Sequence, residues 1–285
     1  MLTIDVANLQ GVETENHTSK GNQPKWRVDK SWIKADYMGY EALAEIVISR
    51  LLAKDLKGVV CYEPVLLQGC TARNGCMSRD FLRPDEDLIP IEKLYRAYEG
   101  RSLVDVITRL ETEDKIKTTV DFVNRVTGLN NFGAYLTRMM EIDAFFLNED
   151  RHMNNIAVIR STKTKTYRLC PIFDNGLSLL SDTYDHPLDG DMYEQIDSLW
   201  AKPFDRSFLE QMSAAEHLYG QQIRFTFTKK DVMKALEVYD FEEAISREDV
   251  SESADLAKMY GVEIRRRAEN VIFEQMRKYR NFFPI

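Results

Sequence analysis

Residues 148–155 read Asn-Glu-Asp-Arg-His-Met-Asn-Asn, set between the apolar stretches 142–147 and 156–159. Packing does not call for such a density of polar side chains between two buried elements. A carboxylate at Asp150 and an amide five residues later at Asn155 have the character of a base and a metal ligand on one loop. Residues 167–173 read as a strand ending at Asp174, and residues 161–166, all polar, read as the turn before it. Asn155 and Asp174 are equidistant from a point between Thr164 and Lys165. A hairpin folded there returns Asp174 to the side of Asn155. The amide and carboxylate then converge with Asp150, a donor set suited to Mg²⁺, which takes oxygen ligands and shares them with substrate phosphates.

The same residues resemble the catalytic segment of HipA-like kinases, which carry Asn-x-Asp-x-His-x-x-Asn followed by a strand pair ending in Pro-x-x-Asp. Here the first motif is Asn148, Asp150, His152 and Asn155, and the second runs from Pro171 to Asp174. Phosphoinositide kinases share the shorter Asp-Arg-His-x-x-Asn, also matched by Asp150, Arg151, His152 and Asn155. The resemblance implies ATP and Mg²⁺ as cofactors and a protein substrate with a Ser or Thr hydroxyl. Asp150 would be the base, His152 would fix the loop, and Asn155 with Asp174 would hold the metal. It covers most of residues 12–180 and implies an α+β, two-lobed, protein-kinase-like (HipA-like) fold. The N-lobe would be strand-rich, over residues 1–90, and the C-lobe helical, over residues 91–285. HipA proteins carry an extra N-terminal subdomain before their phosphate loop. This chain starts almost at that loop, so it is similar to the short branch without it, and an antitoxin-like partner is an open expectation.

The elements that must position these groups can be read in turn. Residues 1–12 read as an opening strand. The polar residues 13–22 then lead into short strands at 25–28 and 31–35, with Asp29 and Lys30 at the turn. A loop of Thr, Ser, Gly and Asn carries free backbone N–H groups that suit phosphate oxygens, though an ordinary hairpin loop has the same composition. HipA-like kinases place Ser-x-x-Gly-x-Gln-x-Lys there. Thr18, Gly21, Gln23 and Lys25 match it with Thr for Ser, and Ser19 is the neighbouring hydroxyl. Autophosphorylation of this loop, at Thr18 or Ser19, is what the resemblance implies.

Lys34 lies in an apolar strand, where an ammonium is costly unless paired, and is the candidate for the nucleotide phosphates. Its partner should come from the helix at 39–53, with Glu45 nearer the apolar face than Glu41. Strands at 59–68 and 75–82 would follow, with a hinge at 78–82 where Phe81 and Leu82 could line an adenine pocket. From residue 91 the pattern becomes helical, at 91–98, 102–110, 112–127 and 132–146. Residues 181–191 form a polar loop, either an activation-type segment or plain surface. Residues 193–283 read as helical, and Arg265, Arg266 and Arg267 as one solvated face or a binding patch.

Composition bounds these readings. The chain has 285 residues and a formal net charge of −8, enough length for two lobes and a balance opposed to nucleic-acid or anionic-membrane binding. The first residues carry no basic leader, no stretch is long and apolar enough to span a bilayer, and the four cysteines match no zinc spacing. The expectation is a bacterial cytoplasmic protein, with export as an effector open. A lipid kinase and a nucleotide-binding pseudokinase acting as a partner-binding module stand as the alternative functions.

Overall fold

The computed structural model describes residues 1–12, 23–238 and 260–284. In chain order the elements begin with β1 (Leu2–Asp5), β2 (Lys25–Val28), β3 (Ser31–Ala35), α1 (Glu41–Leu52), β4 (Glu63–Gln68), β5 (Asn74–Arg79) and β6 (Glu86–Pro90). Then come α2 (Ile91–Glu99), α3 (Leu103–Ile107), α4 (Thr112–Thr127), α5 (Phe132–Phe146), β7 (Ala157–Ser161) and β8 (Tyr167–Leu169). The chain ends with α6 (Met192–Ser198), α7 (Phe208–Tyr219), α8 (Lys229–Leu236) and α9 (Val262–Lys278). They form two compact units, each discontinuous in sequence: Met1–Asp80 with Asn175–Asp197 and Phe225–Ile285, and Phe81–Asp174 with Ser198–Arg224.

The first unit is built on a five-stranded sheet of order β1-β4-β5-β3-β2. β1 runs parallel to β4 and the other pairs are antiparallel. Trp26, Ile33, Ala35, Val65 and Leu67 alternate onto one buried cluster with Val6, the period-2 pattern of a half-buried sheet. α1 packs against the sheet and also against α8. Being covered on two sides, it is apolar nearly all round, with Ala42, Leu43, Ile46, Val47, Ile48 and Leu51 buried. The expected opening strand at 1–12 is only Leu2–Asp5, although Gly11 bridges to Trp26 further on.

The second unit holds a helical group and a three-stranded sheet of order β6-β7-β8. α5 lies against α7 and α4. Gly133 permits the close approach of α5 to α7, since a Cβ there would stand 2.6 Å from the Tyr219 ring. α2, α4 and α5 follow the sequence pattern closely, whereas α3 covers only Leu103–Ile107 of the expected 102–110. β6 is a strand that the pattern does not announce, and it pairs with β7 from Glu86↔Ser161 to Pro90↔Ala157. The compact units therefore do not follow a single cut at residue 90: residues 81–90 group with the β7–β8 hairpin, and residues 225–238 and 260–284 group with the N-terminal segment. No described helix is long and apolar enough to cross a membrane.

Candidate functional site

The loop that carries Asp150 begins with a forced helix stop. Leu147 adopts φ 60°, and the N–H groups of Leu147 and Asn148 both donate to the Asp143 carbonyl. A left-handed leucine costs about 1–2 kcal/mol, and burial of its side chain, 3% exposed, holds it there. Asn148 then links residue 150 to residue 174. Its Oδ1 accepts the Asp150 N–H at 3.2 Å, and its Nδ2 donates to the Asp174 carbonyl at 3.1 Å.

Arg151, the next residue, points inward and is fully buried. It forks onto the Asp143 carboxylate at 3.0–3.2 Å and donates from Nη1 to the Phe173 carbonyl. Burial pushes the Asp143 carboxyl up, and the guanidinium opposes that shift. The loop is thus clamped on both sides of Asp150: Asn148 grips residue 174 and Arg151 grips residue 173.

Asp150 is itself largely buried. Its Oδ1 accepts from Lys202 Nζ at 2.9 Å, while Oδ2 stands 4.0 Å from His152 Nε2. His152 Nδ1 accepts the Asn154 N–H at 3.3 Å. Burial lowers the His152 pKa against the pull of the Asp150 and Asp174 carboxylates. Asn155 donates its backbone N–H to the His152 carbonyl at 2.8 Å.

Asp174 sits at φ 64°, a left-handed conformation that aspartate tolerates better than most residues. The hairpin leading to it differs from expectation. β8 stops at Leu169, and the register pairs Arg160 with Tyr167, which centres the turn between Lys163 and Thr164. That is one residue short of the point equidistant from Asn155 and Asp174. Beyond Leu169 the carbonyls of Phe173 and Asp174 accept from Arg151 and Asn148. Asp174 is therefore placed by the loop clamp, and not by hairpin symmetry. Among the described residues no group of three His, Cys, Asp or Glu side chains could enclose a metal ion. An amide and a single carboxylate fit only an ion that takes its remaining ligands from phosphate oxygens and water, as Mg²⁺ does.

In the first unit Lys34 and Glu45 form a buried ion pair at 2.5 Å. Glu45 is fully buried, and its second oxygen accepts the Asn175 N–H at 2.9 Å. Lys34 Nζ also lies 5.4 Å from the Tyr62 ring centre. Glu41, the other candidate partner, is used differently: its carboxylate accepts the N–H groups of Met38 and Gly39 at 2.6 and 3.0 Å, closing the start of α1. Lys25 stands opposite Lys34 across β2 and β3, and Gln23, half-buried, precedes it. Thr18, Ser19 and Gly21 lie outside the described residues.

Phe81 and Leu82 fall beyond β5. They pack with Leu88 and Phe173 against Ala157, Ile159 and Cys170, so much of their apolar surface belongs to the core of the three-stranded sheet. Residues 181–191 are not plain surface. Ser181, Asp182 and His186 are buried, and Gly39 bridges to Asp182. The arginine triplet is not one solvated face either: Arg267 is buried and donates to the Pro187 carbonyl at 2.8 Å and to Gln195.

Lys202 was not legible as a site residue, because nothing around it repeats and its partner lies 52 positions earlier. Asp143 carried a signal, a carboxylate on the apolar stripe of α5, where an unpaired charge would be costly.

A scan against protein-family models finds none that matches the chain, and a search of curated proteins by sequence finds no match. Among solved structures the chain is similar to the crystal structure of a Helicobacter pylori proinflammatory kinase CtkA. The two are 15% identical, the match covers 97% of this chain and 94% of that one, and the TM-score is 0.59. The likeness shows the fold: this chain has a mixed α+β, kinase-like architecture.

Proposed function

We propose that the protein is an ATP- and Mg²⁺-dependent protein kinase of HipA-like type that phosphorylates Ser or Thr hydroxyls. The observation that carries this reading is the Asn148 bridge. One amide binds the backbone of the candidate base and the carbonyl of the candidate metal ligand, so the two chemical functions are fixed to each other.

In this reading Asp150 orients the substrate hydroxyl and accepts its proton as the phosphoryl group transfers. A shifted pKa is not required, because phosphoryl transfer depends mainly on positioning and on charge neutralisation. Asn155 and Asp174 would hold Mg²⁺, which when bound neutralises charge on the phosphate oxygens. Lys34, oriented by Glu45, would contribute positive charge to the nucleotide phosphates, and Gln23 and Lys25 would belong to the phosphate loop. The solvent-facing parts of Phe81 and Leu82 would meet adenine. Autophosphorylation at Thr18 or Ser19 forms part of the same proposal.

The test uses labelled ATP with general protein substrates, with phosphoinositide vesicles and with the protein alone. Asp150→Asn should retain Mg·nucleotide binding and lose roughly two to four orders of magnitude in kcat. Asp174→Asn should lose Mg²⁺-dependent nucleotide binding. Transfer to lipid but not to protein would replace this reading with a lipid kinase. Tight nucleotide binding with no transfer at all would replace it with a nucleotide-binding module.

A further inference from the structure

Among the described residues, Lys202 makes the closest side-chain contact to the candidate base, at 2.9 Å. It reaches Asp150 from a separate segment whose backbone is firmly mounted. Ala201 and Arg206 exchange backbone hydrogen bonds at 2.9 and 3.3 Å. The buried Gln211 donates to the carbonyls of Ala201 and Arg206. The Lys115 ammonium donates to the Phe204 carbonyl at 2.9 Å. The segment therefore holds the stem of Lys202 in place while its side chain stays 45% exposed.

A half-exposed ion pair adds little to stability. Stability alone is thus a weak reason for the contact. Its location is more informative. A base must stand within hydrogen-bond reach of the hydroxyl it serves, and that hydroxyl oxygen must approach the phosphorus to roughly 3–3.5 Å. An ammonium 2.9 Å from Asp150 Oδ1 is therefore within one hydrogen bond of where the transferring phosphoryl oxygens must pass. It has three N–H donors, and Asp150 is its one recorded hydrogen-bond partner among the described residues.

Resting on the kinase reading, we infer that Lys202 is a further catalytic residue, which neutralises the phosphoryl group during transfer. In the resting protein its ammonium caps Asp150. When the substrate hydroxyl takes its place on the carboxylate, the remaining donors of Lys202 engage the phosphoryl oxygens. The hydroxyl oxygen forms a bond to the γ-phosphorus, and the bond from that phosphorus to the β–γ bridging oxygen breaks. Its electron pair leaves with ADP and the hydroxyl proton passes to Asp150. Lys202 keeps its protons throughout and only supplies charge.

The test compares the full-length protein with Lys202→Met and Lys202→Arg. Affinity is measured for Mg·ADP and for Mg·ADP with aluminium fluoride, a mimic of the transferring phosphoryl group, alongside kcat, KM and the thermal midpoint. Lys202→Met should bind Mg·ADP as the parent does. It should bind the fluoride complex roughly 10²–10³-fold more weakly and lose a similar factor in kcat. Lys202→Arg should recover at least about tenfold of each, since it restores the charge. If Lys202→Met changes only the thermal midpoint and binds the fluoride complex normally, Lys202 is a structural tether and the inference fails, with the kinase reading intact. If the parent protein neither transfers phosphate nor prefers the fluoride complex to Mg·ADP, the kinase reading fails and takes the inference with it.

Discussion

Arg151 heads the fully buried side chains in order of size, and a guanidinium in that position needs partners such as Asp143 and the Phe173 carbonyl. Removing one partner of a buried pair typically costs about 3–5 kcal/mol, whereas replacing both with apolar groups of similar volume is often neutral. Arg151→Met should therefore lower the unfolding free energy by about that amount in urea titration. Asp143→Leu combined with Arg151→Met should recover most of it. Activity should not recover with stability. The double variant still lacks the bond to the Phe173 carbonyl, so the anchor next to Asp174 is lost. A double variant restored in both stability and kcat would show that the clamp serves the fold alone. Lys34 obeys the same electrostatics, since Glu45 would be left buried with, among the described residues, the Asn175 N–H to stabilise it. A loss of nucleotide affinity in a Lys34 variant therefore has to be separated from a loss of stability.

At the scale of elements, the sequence was readable where burial imposes a period and unreadable where a contact depends on distant residues. α2, α4 and α5 stand within a residue or so of the boundaries expected from apolar spacing, because each buries one face, as Ile116, Val120 and Val123 do on α4. β6 escaped notice because Glu86, Asp87 and Pro90 flank only two apolar residues. Being the outer strand of its sheet, it can afford charges and a terminal proline. The loop residues Asp150, Asn155 and Asp174 were visible as polar groups where packing wants none, whereas Lys202 looked like any lysine before a proline.

The pairing of α5 with α7 holds another contact that no pattern announces. Glu141 is fully buried and accepts the Gln222 N–H at 2.8 Å, with the Glu216 carboxyl near it. Burial, with the Glu216 carboxyl beside it, pushes Glu141 from the ordinary 4.5 to about 8. An unfolded Glu141 ionises near 4.5, while the folded one keeps its proton to about pH 8. The folded state binds the extra proton across that window, so this group's contribution to stability falls as pH rises through it and levels off above. Glu141→Gln should therefore gain stability over the parent at pH 8 and differ little at pH 5. Urea midpoints at the two pH values check this. A constant difference between the two proteins would mean that the carboxyl is not protonated in the fold.

At the scale of the whole chain, residues near the two ends fold together. Lys54 pairs with Asp231 at 2.7 Å, and Asp55 accepts the Thr226 N–H and hydroxyl. The Tyr260 hydroxyl donates to Asp36. Phe225, Phe227, Phe282 and Phe283 form a ring cluster with centroids 5.0–5.9 Å apart, and Tyr279 stacks on Phe282 at 5.3 Å. α9 packs on α8, and α8 on α1, the helix that carries Glu45. The last described residues therefore support the element that orients Lys34, which no motif near residue 280 suggests. Phe282 is fully buried, and truncating such a ring costs about 3–5 kcal/mol. Phe282→Ala should lower the urea midpoint accordingly. If α9 and α8 set the position of α1, nucleotide affinity should also fall at denaturant concentrations where far-ultraviolet circular dichroism still reports folded helix. A variant that loses stability but binds nucleotide normally until it unfolds globally would show that the C-terminal helices only cover α1 and do not position it.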